Sequence, residues 1–319
     1  MIHVLDNYYL SITLLITIAY QLFFFAIAFT YKLDKLTDFA GGTNFVVLDH
    51  ARNIVVSVFI MLWGLRLSGF PLFRILKTRK HDRFDDKRDI FFKFQGFWIF
   101  QMVWVWTVSL PVTILNSPKA TEDDYQTPFG TGQDITGVVL YIVGLIMETV
   151  SDAQKYRFMR AHGNDDAICD RGFFAWSRHP NYFGEMVIHF GIWVITLSPA
   201  FLSDVNTGAM NAIVAFVVGP RFLTFLLMFV CGLPLQERPG AKKRYENGSR
   251  SSWEAYARYL NRTSILIPVP PQLYARTPAW IKRTLFLEYP MYVFDPAKHS
   301  DRSKRQSSAE EGLGDRQAG

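Results

Sequence analysis

The sequence predicts an all-α protein, a multi-pass transmembrane helical bundle of six to seven spans, and three observations carry that prediction. Half of the 319 residues are hydrophobic. These residues are gathered into blocks of about 20, the length a helix needs to cross a hydrocarbon core. The segments between blocks alternate between basic and acidic, as the positive-inside rule requires of a polytopic chain. The net charge of +6 sits in those segments, so it is assigned to membrane topology and not to nucleic-acid binding.

The blocks run in order over residues 9–30, 45–70, 94–115, 135–150, 183–199 and 210–233. The first lacks a basic leader and a small-residue cleavage site, so it is expected to be retained as a span. Asp49, His50 and Arg52 interrupt the second, so either its helix starts after them or they face the protein interior. The helical pattern of the fourth continues to Arg160. Pro220 lies near the middle of the sixth and predicts a kink or a division into two segments, which gives the seventh span. Segment 66–93 is dense in Lys and Arg, 116–134 is acidic, 155–178 is basic, and the chain after 234 is basic again. The basic segments are therefore expected in the cytoplasm, where the sequons at Asn247 and Asn261 stay unglycosylated. Residues 1–115 read as N-terminal helices with a substrate-side cavity. Residues 116–270 read as a cofactor-binding membrane domain, and 271–319 as a cytoplasmic tail with a disordered end.

Ionisable residues in or beside a span are expensive, which makes them functional candidates. Three clusters qualify. Glu148, Asp152, Lys155 and Met159 share one helical face at the end of the fourth span, with Arg157 and Arg160 nearby. Carboxylates there suit ribose hydroxyls and the cations suit phosphates; the alternative is a set of ion pairs at the headgroups. The second cluster runs from Trp176 through Arg178, His179, Pro180, Asn181 and Tyr182 to Glu185. Pro180 is suited to open the fifth helix, whose first N–H groups then face any anion held by Arg178, His179 and Asn181. Its alternative is an interfacial cap, with Arg on headgroups and Tyr in the aromatic belt. The third contains Glu237, Lys243, Arg244, Tyr245, Trp253 and Tyr256, and is either a lipid-binding basic patch or a lid over a planar ligand. A Gly-rich loop over 37–44 leads to Asp49 and places Asp38, Asn44 and Asp49 as candidate substrate contacts, or it is simply a turn.

Other chemistries lack support. Cys169 and Cys231 form no framework or C-x-x-C pair. The seven His show no zinc-ligand spacing, so no metal is expected. No Ser lies in G-x-S-x-G, and Gly130-Thr131-Gly132 does not complete a dinucleotide fingerprint.

The three clusters in this order resemble the membrane reductases that include steroid 5-alpha-reductases and the sterol C14 and delta-7 reductases. The chain looks closest to the DUF1295 branch of that superfamily. The phrase Arg178-His179-Pro180-Asn181-Tyr182-Phe183-Gly184-Glu185 carries the likeness, supported by Ser151-Asp152 with Arg160, by Gln154-Lys155 with Phe158, and by Glu237, Lys243, Tyr245 and Tyr256. The resemblance implies a pocket for NADPH open to the cytoplasm and a hydrophobic substrate, a steroid, sterol or other lipidic enone, entering from the bilayer. It implies cofactor contacts at Asp152, Lys155, Arg157, Arg160, Trp176, Arg178, His179, Asn181, Tyr182, Glu185, Glu237, Tyr245 and Tyr256, with Tyr182 and His179 as catalytic candidates. It also implies the endoplasmic reticulum as the membrane in a eukaryotic cell. The chain departs from the pattern at Met159, where many relatives are basic, and it has no clear match for the acidic and Tyr residues that hold a steroid ketone. An R-H-P-x-Y-x-G phrase also occurs in isoprenylcysteine and phospholipid methyltransferases, so methyl transfer from S-adenosylmethionine is the alternative activity; a non-catalytic lipid-binding protein is the third reading.

Overall fold

The computed structural model describes residues 10–31, 51–78, 91–116, 129–162, 167–198 and 217–297. Asp38, Asn44 and Asp49 lie outside them, as do most of the acidic loop and residues 298–319. The regular elements are helical: α1 (Leu10–Tyr31), α2 (Ala51–Thr78), α3 (Phe91–Leu115), α4 (Gly132–His162), α5 (Pro180–Thr196), α6 (Val218–Phe225), α7 (Leu233–Asn247), α8 (Arg250–Arg262), α9 (Pro271–Arg276) and α10 (Ala279–Thr284). Among the described residues four stretches are long and apolar enough to cross a bilayer: Arg52–Phe70, Trp98–Leu115, Gly132–His162 and Val218–Asn247. The chain is thus an integral membrane protein whose regular elements, among the described residues, are all helical. Large apolar side chains such as Leu65, Ile99, Val139 and Ile146 are exposed on these helices, where lipid would cover them.

The chain divides into two compact units, one of Met1–Val150 with Phe183–Phe225, the other of Ser151–Tyr182 with Leu226–Gly319. In the first unit, α2 offers Val56, Ile60 and Trp63 and α5 offers Ile188, Ile192 and Ile195, both at i, i+4, i+7 spacing. Tyr141 of α4 joins them, stacked on Phe59 at 3.8 Å between ring centroids. Its hydroxyl donates to the Phe59 carbonyl at 2.7 Å. Helices α4 and α5 meet antiparallel along paired glycines. A Cβ on Gly144 would stand 2.7 Å from the Gly184 carbonyl oxygen, and one on Gly191 would stand 2.8 Å from the Gly137 carbonyl oxygen. Each helix carries its two glycines seven residues apart, so one seam lets the backbones touch, as in small-residue membrane crossings.

His50, like Asp49, lies outside the described residues, while Arg52, inside the first turn of α2, faces the interior. Its guanidinium donates to both Asp134 carboxylate oxygens at 2.9 Å, and Asp134 also accepts from the N–H groups of Gly130 and Thr131. Arg52 further donates to Ser198, so the ends of α2 and α5 and the start of α4 are tied through one fully buried carboxylate.

Pro220 does not kink the sixth span. It lies in the first turn of α6, where no backbone donor is lost. The interruption comes after Phe225, where Leu226–Val230 form a π turn that closes with the Cys231 N–H on the Leu226 carbonyl, followed by Gly232. In the second unit, residues 176–178 are tied to 264–269, with an isolated parallel bridge between Ser177 and Ser264. Arg178 N–H donates to the Ser264 carbonyl at 2.8 Å, Val269 N–H to the Trp176 carbonyl at 3.1 Å, and the Ser177 hydroxyl to the Leu266 carbonyl at 2.7 Å. Segment 271–297 folds back through α9 and α10 onto its own core of Val269, Tyr274 and Phe286.

Candidate functional site

Residues 177–182 place their side chains in the second unit by a short extended run that ends at Pro180. The pairing with 264–269 fixes the backbone, and the Ser177 hydroxyl accepts from the His179 N–H at 3.1 Å. Pro180 then starts α5. The result is a buried charge network. One terminal nitrogen of Arg178 donates to Glu237 at 2.5 Å and the other to Glu288. The remaining Glu237 oxygen accepts from His179 Nε2 at 2.7 Å. Arg178, His179 and Glu237 are 8 %, 6 % and 5 % exposed, so these contacts are made away from water. The second Glu288 oxygen accepts from the Tyr274 hydroxyl at 2.6 Å.

The electrostatics follow from this geometry. Burial would lower the proton affinity of Arg178, but two carboxylates raise it beyond its ordinary value, so it is a permanent cation. Burial lowers the proton affinity of His179 and outweighs the pull of Glu237, whose charge is already answered by Arg178. His179 is therefore neutral at pH 7. Its Nε2 carries the proton donated to Glu237, and Nδ1 is left as an acceptor with no partner among the described residues. The His179 ring stacks on Tyr182 at 5.2 Å with the planes 9° apart, and the Tyr182 phenol accepts from Gln236.

Around this centre the other predicted residues fall in two groups. The last turns of α4 bring the half-buried Asp152 and the exposed Lys155, Arg157 and Arg160 into the same unit. Lys155 lies close enough to act electrostatically on His179 and Glu237. On α7 and α8, Arg244 caps the face of Tyr256 at 4.8 Å, and Trp253 packs on both Tyr245 and Tyr256. Burial, reinforced by Glu237, pushes the Tyr256 phenol up to about 12, so it remains a donor at neutral pH. Trp176 is half exposed, and Asn181 is half-buried with no hydrogen-bond partner among the described residues. Glu185 is buried, in the first unit. Among the described residues no three His, Cys, Asp or Glu side chains converge as a metal site.

Sequence reasoning missed Glu288 and Tyr274, which belong to the segment read as tail. Arg178 and Glu288 are 110 residues apart in the chain, and no local pattern marks either as a partner. Leu287, beside Glu288, has a left-handed backbone at φ 60, and it is the single non-glycine residue with positive φ among the described residues. Such conformations persist where surrounding contacts over-determine them.

No curated protein and no solved structure matched this chain. The profile of the family described as "Protein of unknown function (DUF1295)" matches residues 24–263, well over half of the sequence and including all three clusters. The chain belongs to the DUF1295 family.

Proposed function

We propose that this protein is a membrane reductase that uses NADPH to saturate a carbon–carbon double bond of a steroid, sterol or other lipidic enone, from a site on the cytoplasmic face of a bundle of six to seven spans. In a eukaryotic cell the membrane would be that of the endoplasmic reticulum. The observation that carries this reading is a division of labour among the basic groups of the second unit. Both terminal nitrogens of Arg178 are engaged, by Glu237 and Glu288, while Lys155, Arg157 and Arg160 stand exposed on adjoining turns of one helix. That exposed set has the donor chemistry for a dinucleotide carrying several phosphates. Asp152, on the same helix, carries a carboxylate of the kind that accepts from ribose hydroxyls, and Tyr256, Tyr245 and Trp253 offer apolar faces for a planar ring. The residues present thus fit NADPH, which when bound supplies a hydride.

The chain's own part is positioning and proton control. Arg178 holds Glu237, and Glu237 fixes the tautomer of His179, so that Nδ1 is an acceptor and Nε2–H a donor. Tyr182, stacked on that ring and held by Gln236, presents a phenol able to polarise a carbonyl or deliver a proton. Asn181 offers an amide at the start of α5 that has no hydrogen-bond partner among the described residues.

The test is a pair of equilibrium titrations on the detergent-purified protein, one with NADPH and one with S-adenosylmethionine. The proposal predicts saturable NADPH binding that weakens steeply with salt, because phosphate contacts dominate it. Binding of S-adenosylmethionine without binding of NADPH would assign the site to methyl transfer instead.

A further inference from the structure

The first unit contains a second polar feature that the cofactor reading does not use. Trp63 on α2 and His189 on α5 lie in the middle of its apolar core, 1 % and 3 % exposed. Their rings meet edge to face, with centroids 4.4 Å apart and planes at 88°. Neither Trp63 Nε1 nor His189 Nε2 has a hydrogen-bond partner among the described residues. An edge-to-face contact lets one ring's N–H point at the other's π face. It can do so for one ring only, so at least one nitrogen stays unanswered. Inside a membrane span bulk water does not reach such a group, and leaving it bare is unfavourable.

The surroundings point the same way. Ile60, Tyr141, Ile188 and Ile192 pack in the same cluster, and Trp104 lies edge-on to Trp63 at 6.2 Å. The nearby ionic groups are engaged: Arg66, one turn along α2 from Trp63, pairs with Glu148. On α5 the polar residues Glu185, His189 and Trp193 follow at four-residue spacing, and Trp193 Nε1 also lacks a partner among the described residues. A polar stripe in an apolar core, with Arg66 and Glu148 paired beside it and its ring nitrogens without partners among the described residues, suits an uncharged polar group.

We propose that Trp63 and His189 bind the single uncharged oxygen function, a hydroxyl or a ketone, of an otherwise apolar lipid. An oxygen atom accepts from the indole N–H in either case. A hydroxyl donates to His189 Nε2, and a ketone accepts from the other imidazole tautomer. The site takes a neutral lipid and excludes charged headgroups and fatty carboxylates, for which it has no counter-ion to spare. This rests on the reading of the protein as acting on lipidic substrates, and it names the group by which the substrate is held.

The experiment measures binding of radiolabelled cholestanol to the full-length protein in detergent, with cholestanone and the hydrocarbon cholestane as competitors. Wild type, Trp63→Phe and His189→Phe are compared. The proposal expects both oxygenated sterols to compete at least tenfold better than cholestane on wild type. It expects each variant to lose about tenfold in cholestanol affinity, the value of one neutral hydrogen bond, with cholestane unchanged. Unfolding temperature should hold or rise in His189→Phe, which replaces an unpartnered polar ring by an apolar one of similar size; Trp63→Phe also leaves a cavity and is read by binding alone. Equal competition by alcohol and hydrocarbon on wild type, or an unchanged preference in both variants, overturns the proposal. So does a drop in unfolding temperature in His189→Phe, which marks a trapped water as the native partner. An NADPH titration on the same preparations keeps the two readings apart: oxygenated-lipid binding without NADPH binding refutes the reductase, and NADPH binding without oxygen preference refutes this site.

Discussion

Arg178 is the residue on which the second unit turns. It is buried with both guanidinium ends on carboxylates, so its removal strands two negative charges in a dry site. Breaking a buried pair from one side typically costs 3–5 kcal/mol, and Arg178→Ala should lose about that much, read as a large drop in the unfolding midpoint in detergent. Glu288→Gln should cost less, since the amide oxygen still accepts from Arg178 and the amide NH2 can donate to the Tyr274 phenol oxygen; a loss as large as that of Arg178→Ala would show that Glu288 is the principal partner. His179 gives a pH signature. Its folded proton affinity lies below the ordinary value of 6.5, so below about pH 6.5 the unfolded chain takes up a proton that the folded chain refuses. Stability is complete above that value and falls as the pH drops through the window beneath it. His179→Gln should flatten this acid limb, as unfolding midpoints between pH 7.5 and 5.5 would show. Arg178 and His179 were legible in the sequence, because two bases before a Pro at a membrane boundary are hard to explain otherwise. Glu288 was not, since an ion pair closed across so many residues leaves no mark on local spacing.

At the scale of elements, the α4–α5 seam sets how closely two membrane helices approach. Gly144 and Gly184 each face the other's carbonyl, leaving no room for a side chain. Gly144→Val should therefore abolish folded, monodisperse protein on size-exclusion chromatography. Gly69→Ala on α2, where a Cβ meets nothing within 4 Å, should be neutral or slightly stabilising. Equal tolerance at both positions would contradict the packing. The seven-residue spacing of Gly137 and Gly144, and of Gly184 and Gly191, was a readable signal for this seam. The helices themselves were legible from apolar block length. The break after α6 was not, because a π turn needs neither Pro nor Gly at its start, and Pro220 drew attention to the wrong place. The buried Arg52–Asp134 pair was half legible: Arg52 stood out as a charge in a span, but its partner lies 82 residues on, beyond the whole of α3.

At the scale of the whole molecule, the chain is an integral membrane protein of the DUF1295 family whose second unit concentrates buried charge and exposed cations. The proposed division between a structural Arg178 and ligand-facing Lys155, Arg157 and Arg160 predicts distinct mutant behaviour. Arg160→Ala should weaken NADPH about tenfold or more and NADH much less, with little change in unfolding midpoint. Equal weakening of both would remove Arg160 from the 2′-phosphate. The central claim is hydride transfer to a lipid carbon, and one measurement addresses it directly. The purified protein is incubated with NADPH deuterated at the transferable position and a lipid extract rich in enones and sterols, and the products are read by mass spectrometry. The account predicts one deuterium on carbon in a lipid that has also gained one hydrogen, lost in Tyr182→Phe or Asn181→Ala. NADPH that binds without any deuterium reaching lipid carbon, across steroid, sterol and simple enone pools, would contradict it.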